Sequence, residues 1–139
     1  MITGRCLCGA TTYTVSSVDD QIGVCHCDDC QRWSGGPFLG VDVTDLEFQG
    51  AVRWFATSDW AERASCSVCG SAMAWRLKDG RNPTVTAGSL TDRSLIKGTK
   101  MHIFSDSRPD YYDLAGDAKR LTGEETMAYF MAQMQAEDA

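Results

Sequence analysis

Cys66-Ser-Val-Cys69, closed by Gly70, is the stretch on which the fold turns. Two residues between cysteines let a tight turn aim both sulfurs at one ion, and two sulfurs need two more to complete a tetrahedral site. The same cysteine-glycine corner occurs near the start of the chain, as Cys6-Leu-Cys8 followed by Gly9. Glycine accepts the dihedrals that turn backbone amides toward a sulfur, so matching corners read as matching half-sites. Cys6, Cys8, Cys66 and Cys69 are therefore expected to share one closed, structural zinc. The remaining cysteines, Cys25-His-Cys27-Asp-Asp-Cys30, lack such a glycine and form a set of three. Three protein ligands and an open position are the pattern of a catalytic zinc. Other pairings of the seven stay open to spacing alone.

Other uses of cysteine fit less well. Seven is an odd count for a disulfide framework, and no basic start with an apolar stretch marks a secretory signal. A reducing, cytoplasmic setting is the resulting expectation. A redox pair at Cys27 and Cys30 would carry Asp28 and Asp29 between its thiols, which disfavours a reactive thiolate. With 139 residues and 43% hydrophobic content, one domain spanning residues 1–139 is expected. The net charge of −6 comes without a basic stripe, which argues against nucleic acid as a partner. No apolar run reaches the roughly 20 residues that span a bilayer, so no membrane association is expected.

Short segments rich in β-branched and aromatic residues dominate the first three quarters: Thr11–Val15, Ile22–Cys25, Pro37–Val41, Val52–Phe55, Ala72–Trp75, Thr84–Thr86 and His102–Phe104. Gly35-Gly36, Gln49-Gly50, Asp79-Gly80 and Lys97-Gly98 separate them as turn signals. Asp28–Ser34 suits one short helical turn, with Asp28 and Asp29 available to cap it. The class is thus mainly β, ending in a short helix. That helix is announced by Thr122-Gly-Glu-Glu125, a capping box. Met127, Phe130, Met131 and Met134 then recur at helical spacing. They are expected to pack on the protein's own sheet, the alternative being a methionine-rich partner surface.

Gly4-Arg-Cys-Leu-Cys-Gly-Ala10, Cys25-His-Cys-Asp-Asp-Cys-Gln31 and Arg63-Ala-Ser-Cys-Ser-Val-Cys-Gly-Ser71 together resemble the glutathione-dependent formaldehyde-activating enzymes and the centromere protein V domain. Ala87-Gly-Ser-Leu90 and His102-Ile-Phe104 extend the likeness, which covers roughly residues 4–114, with 115–139 as a helical extension. The resemblance implies a β-tent of small antiparallel sheets around a structural zinc. It assigns that ion to Cys6, Cys8, Cys66 and Cys69, and a second, catalytic zinc to Cys25, Cys27 and Cys30. Two departures stand out: Ser65 replaces an aromatic residue before the third cluster, and Tyr111 and Tyr112 replace a tryptophan near the end.

The implied activity is that of a carbon–sulfur lyase, adding glutathione to formaldehyde to give S-(hydroxymethyl)glutathione. Soft donors favour a fourth sulfur, so a small thiol such as glutathione is the expected partner. A homodimer is also compatible with this reading. The alternative is a zinc-stabilised binding module whose middle set is closed by a fourth protein ligand. His26 and His102 are the only histidines that could supply it. On an extended chain His26 would point away from its neighbours' sulfurs, and His102 reads as a packed residue. Arg32, Arg53 and Arg63 can pair with carboxylates of a glutathione-like ligand, though solvation or compensation of the anionic sites is the plainer role.

Overall fold

The computed structural model describes residues 1–138, the side chain of the last excepted. Twelve strands form among them: β1 (Ile2–Arg5), β2 (Thr11–Val15), β3 (Ser17–Val18), β4 (Gln21–Cys25), β5 (Phe38–Thr44) and β6 (Glu47–Gly50) in the first half. β7 (Val52–Ala56), β8 (Ala61–Cys66), β9 (Ala72–Leu77), β10 (Thr84–Thr86), β11 (Gly98–Ile103) and β12 (Lys119–Arg120) follow. Helix α1 (Asp28–Ser34) lies between β4 and β5 in the chain, and α2 (Gly123–Asp138) ends it. Small sheets and a C-terminal helix are the class read from the sequence. Each anticipated strand is present, within a few residues at its ends. Among the described residues, no helix is long and apolar enough to cross a membrane.

Two compact units alternate along the chain: Met1–Ile22 with Leu39–Gly98, and Gly23–Phe38 with Thr99–Ala139. In the first unit β1, β2 and β6 form an antiparallel three-stranded sheet, while β5, β10, β9, β8 and β7 lie side by side. Alternate residues of β2 and β5 point inward, and Tyr13, Val15, Val41 and Val43 join Met73, Ala74, Val85 and Leu90 in the core. Gly4 faces Tyr13 across the β1–β2 ladder. A methyl group built at Gly4 would lie 2.1 Å from the tyrosine ring, so only glycine lets the ring close over that strand. The buried Tyr13 hydroxyl is satisfied by Ser89, at 2.7 Å.

In the second unit β12 runs parallel to β11, and β4 borders β11 on its other edge. The ladder is prolonged past the strand ends by His26 N–H to Ile103 O (3.1 Å) and Ser105 N–H to Leu121 O (2.9 Å). The capping box of α2 forms as read. The Glu125 amide donates to Thr122 Oγ1 (3.2 Å), and the Thr122 amide donates to Glu125 Oε1 (3.0 Å). Thr126, fully buried, accepts the Phe104 amide through its hydroxyl oxygen.

The apolar face of α2 does not pack as expected. Met127, Phe130 and Met131 are 44%, 39% and 57% exposed, and Met134 is half-buried. The helix is anchored by its first turn, to Phe104 and to Asp106, which accepts the Gly123 amide at 2.8 Å. Apolar spacing marks a face, but burying it takes an opposing surface, and the short strands of this unit do not provide one.

Candidate metal centres

Cys6, Cys8, Cys66 and Cys69 come together with all ligand atoms within 4.8 Å of one another. Four sulfurs bound at about 2.3 Å around a tetrahedral ion stand about 3.8 Å apart. Cys6 and Cys8 are separated by 3.7 Å, Cys8 and Cys66 by 3.8 Å, and no cysteine is in a disulfide. The glycine corners work as anticipated, with Gly9 and Gly70 in left-handed backbone at φ 82° and 78°. Amides turn toward sulfur at each: Thr11 N–H to Cys6 (3.3 Å), Ala10 N–H to Cys8 (3.4 Å), and the amides of Val68 and Cys69 to Cys66 (3.4 Å each).

The electrostatics of this set call for a cation. Ser71, by its hydroxyl and then its amide, holds the Cys69 thiol down to about 5. The buried Thr11 hydroxyl, which has no other partner among the described residues, is the main influence lowering Cys66. Cys8 goes the other way. The Ala10 amide favours its thiolate, yet burial and the neighbouring sulfurs push it up to about 11. Four thiolates this close cannot all ionise on hydrogen bonds alone, and a bound divalent ion removes the conflict. Neither Thr11 nor Ser71 was singled out from sequence, because hydroxyl residues beside cysteines are too common to be a signal.

The second set is local. Cys25 ends β4, and α1 opens directly after Cys27, which occupies its N-cap position. There the Cys27 sulfur accepts the Cys30 amide at 3.4 Å, the role expected of Asp28 or Asp29. Both aspartates instead lie exposed in the first turn, where negative charge suits the helix dipole. Gly35, left-handed at φ 78°, closes the helix. The sulfurs of Cys25, Cys27 and Cys30 lie within 4.8 Å of one another, Cys25 and Cys30 buried and Cys27 half-buried. Proximity of Cys27 and Cys30, then burial, raises the Cys25 thiol strongly.

Among the described residues, no histidine, carboxylate or further cysteine adds a ligand atom to these three. Both histidines are committed elsewhere. His26, fully buried, places Nδ1 2.7 Å from the Tyr112 hydroxyl and Nε2 2.9 Å from Nδ1 of His102. Gln31 Nε2 donates to the same Tyr112 oxygen at 2.6 Å. If Tyr112 accepts from Gln31, its proton goes to His26 Nδ1, and His26 then donates from Nε2 to His102. This chain of donors requires both rings neutral. Burial agrees with that, lowering His26 to about 4, with His102 as the next cause, and lowering His102 as well. The outward turn of His26 and the packed state of His102 match the sequence reading. Gln31 and Tyr112 are members that the sequence reading did not assign, although both lie in or near its motifs.

Arg63 is buried in β8, so it is not solvated, whereas Arg32 and Arg53 are exposed. Trp54 stacks under Arg76, whose guanidinium lies 3.7 Å from the ring centre.

Three comparisons bear on this arrangement. The family model described as glutathione-dependent formaldehyde-activating enzyme matches residues 1–107. An uncharacterized lyase of Schizosaccharomyces pombe is 29% identical over 132 residues, which cover 89% of this chain and 93% of that protein. A Rhodobacter sphaeroides protein of solved structure aligns with a TM-score of 0.53 at 20% identity, over 70% of this chain and 99% of its own, a likeness of fold.

Proposed function

Because the chain belongs to the glutathione-dependent formaldehyde-activating enzyme family, we propose that it is a zinc-dependent carbon–sulfur lyase acting at Cys25, Cys27 and Cys30. In this reading Cys6, Cys8, Cys66 and Cys69 hold a structural zinc and the second set holds a catalytic one. The substrate is a small cellular thiol such as glutathione, joined to formaldehyde or a similar small electrophile. The S–H proton is lost, the sulfur lone pair forms the S–C bond, and the carbonyl π electrons move to oxygen, which takes up a proton. A zinc held by three thiolates supplies a soft centre that favours a sulfur partner in its deprotonated form.

The chain's own contribution is placement. Cys27 caps α1 while its sulfur faces those of Cys25 and Cys30, so helix formation and assembly of the set are one event. His26 sits between two of these cysteines with both ring nitrogens bonded, and this fixes the backbone that carries the sulfurs. Since thiols add to formaldehyde unaided, holding and orienting the partners is enough to accelerate the step.

The carrying observation is the set of three sulfurs without a fourth histidine, cysteine or carboxylate among the described residues. It favours an open position over the closed site of a binding module. Cobalt substitution tests it. Glutathione should intensify the sulfur-to-cobalt charge-transfer band in the native sequence and leave that of a Cys30→Ser variant unchanged. A spectrum that no thiol alters in either protein would overturn the reading.

A further inference from the structure

A cleft of about 660 Å3 opens in the first unit, away from the three-cysteine set in sequence and served by different residues. Part of its lining is apolar, with Met73 and Leu90 buried and Leu7 84% exposed. It carries two arginines and no carboxylate. Among its carboxylate, lysine and arginine side chains only Arg5 and Arg93 occur, in a chain whose net charge is −6, and Cys6 of the four-cysteine set borders it as well. Arg93 turns Nε and Nη2 onto the Gly88 carbonyl (3.0 and 2.9 Å), which fixes the guanidinium at the cleft wall and leaves Nη1 to donate. The Arg5 side chain reaches beside Gly9 and has no hydrogen-bond or ion-pair partner among the described residues. The nearest acid in sequence, Asp92, is engaged by the amide and hydroxyl of Ser94 (3.0 and 2.5 Å).

The hydroxyl groups of the cleft are already used. Ser89 donates to Thr86 O and Thr86 donates to Ala72 O, while Ser71 accepts the Leu7 amide. The side-chain donors left over are therefore cationic, and they share the cleft with the apolar Leu7, Met73 and Leu90. An inorganic ion would satisfy the charge alone, and a neutral apolar molecule would use the apolar lining alone. Clefts of this volume suit small molecules, and arginine pairs with carboxylate and phosphate oxygens through two parallel N–H groups.

We propose that this cleft binds a small organic anion, a carboxylate or phosphate ester with an apolar body, with Arg5 and Arg93 as its charge partners. The claim does not depend on the lyase reading, since neither arginine belongs to the three-cysteine unit.

Amide-resolved NMR titration of the full-length protein as purified tests it. Phenylacetate and phenyl phosphate, added separately, distinguish carboxylate from phosphate ester. At least one should give saturable shifts confined to Arg5, Leu7, Leu90, Arg93 and their neighbours. Arg5→Gln should weaken that binding roughly tenfold, the value of a lost charge-assisted pair, without changing the melting temperature. Phenylacetamide should bind far more weakly, and so should inorganic phosphate. Absence of saturable shifts, full affinity in Arg5→Gln, or equal binding of phenylacetamide or inorganic phosphate would each overturn the proposal.

Discussion

At the scale of single residues, Cys27 combines two tasks, because its sulfur caps α1 and belongs to the three-sulfur set. Serine is among the best N-caps but a poor partner for a soft ion. Cys27→Ser should therefore keep helix and fold, with stability within about 1 kcal/mol of the parent, while the bound metal falls by one ion per chain. Urea unfolding beside metal analysis reads both, and a variant that retains full metal content would remove Cys27 from the ligand set. Gly4 shows the opposite sensitivity. Its hydrogen is all that fits beneath the Tyr13 ring, so Gly4→Ala must displace an aromatic residue from the core. A loss of about 1–3 kcal/mol is expected, as for other overpacked cores. An unchanged denaturation midpoint would show that the ring moves freely.

At the scale of elements, α2 and β8 teach contrasting lessons. The capping box made α2 legible, and the hydrogen bonds of Thr122 and Glu125 form as that motif requires. Its apolar spacing was equally visible yet misleading about packing. Consequently Thr122→Ala should cost about 1 kcal/mol, whereas Phe130→Ala or Met131→Ala should cost less than about 0.5 kcal/mol. Thermal melts of the three variants would compare them directly, and a large loss at Phe130 would mean that the face is covered in solution. Strand β8, Ala-Glu-Arg-Ala-Ser-Cys, has none of the β-branched residues that mark a strand, and it was not anticipated. It is extended because β7 and β9 pair with it on both edges, with an irregularity between Ala64 and Ser65 just before Cys66. The position of Cys66 is thus set by neighbours rather than by local preference.

For the molecule as a whole, the two cysteine sets should differ in tenacity. About two zinc ions per chain are expected, and the four-cysteine set should resist chelators longer. It joins distant parts of the chain, and structural zinc contributes on the order of 10 kcal/mol coupled to folding. Cys69→Ser should accordingly aggregate or melt well below the parent. Equal loss of both ions to a chelator would contradict the division into closed and open sites. The histidine pair sets a second global property. Burial keeps the folded rings neutral, with His26 lowered to about 4. The unfolded chain takes up protons near its ordinary histidine value of about 6.5, and the folded chain does not. Stability should therefore fall as pH drops from about 6.5 toward 4. Imidazole NMR signals that stay flat down to about pH 6, with a smaller acid loss in His102→Asn, would bear this out. Rings that titrate at the ordinary value would refute it.

Much of the site was readable because metal-ligand chemistry is written in residue type and short spacing. Cysteines one or two residues apart can reach a common point whatever surrounds them, and glycine after cysteine announces the left-handed corner that Gly9 and Gly70 adopt. The β class and the helix cap were legible for the same local reason. Tertiary structure alone decided what depends on approach from afar. It brought the Thr11 hydroxyl beside Cys66, joined Tyr112 and Gln31 to the buried histidines, and left α2 without an opposing surface. Local stereochemistry sets which ligands can converge and which turns can form. Burial, and the pairing of a polar atom with one far along the chain, exist only once the chain has folded.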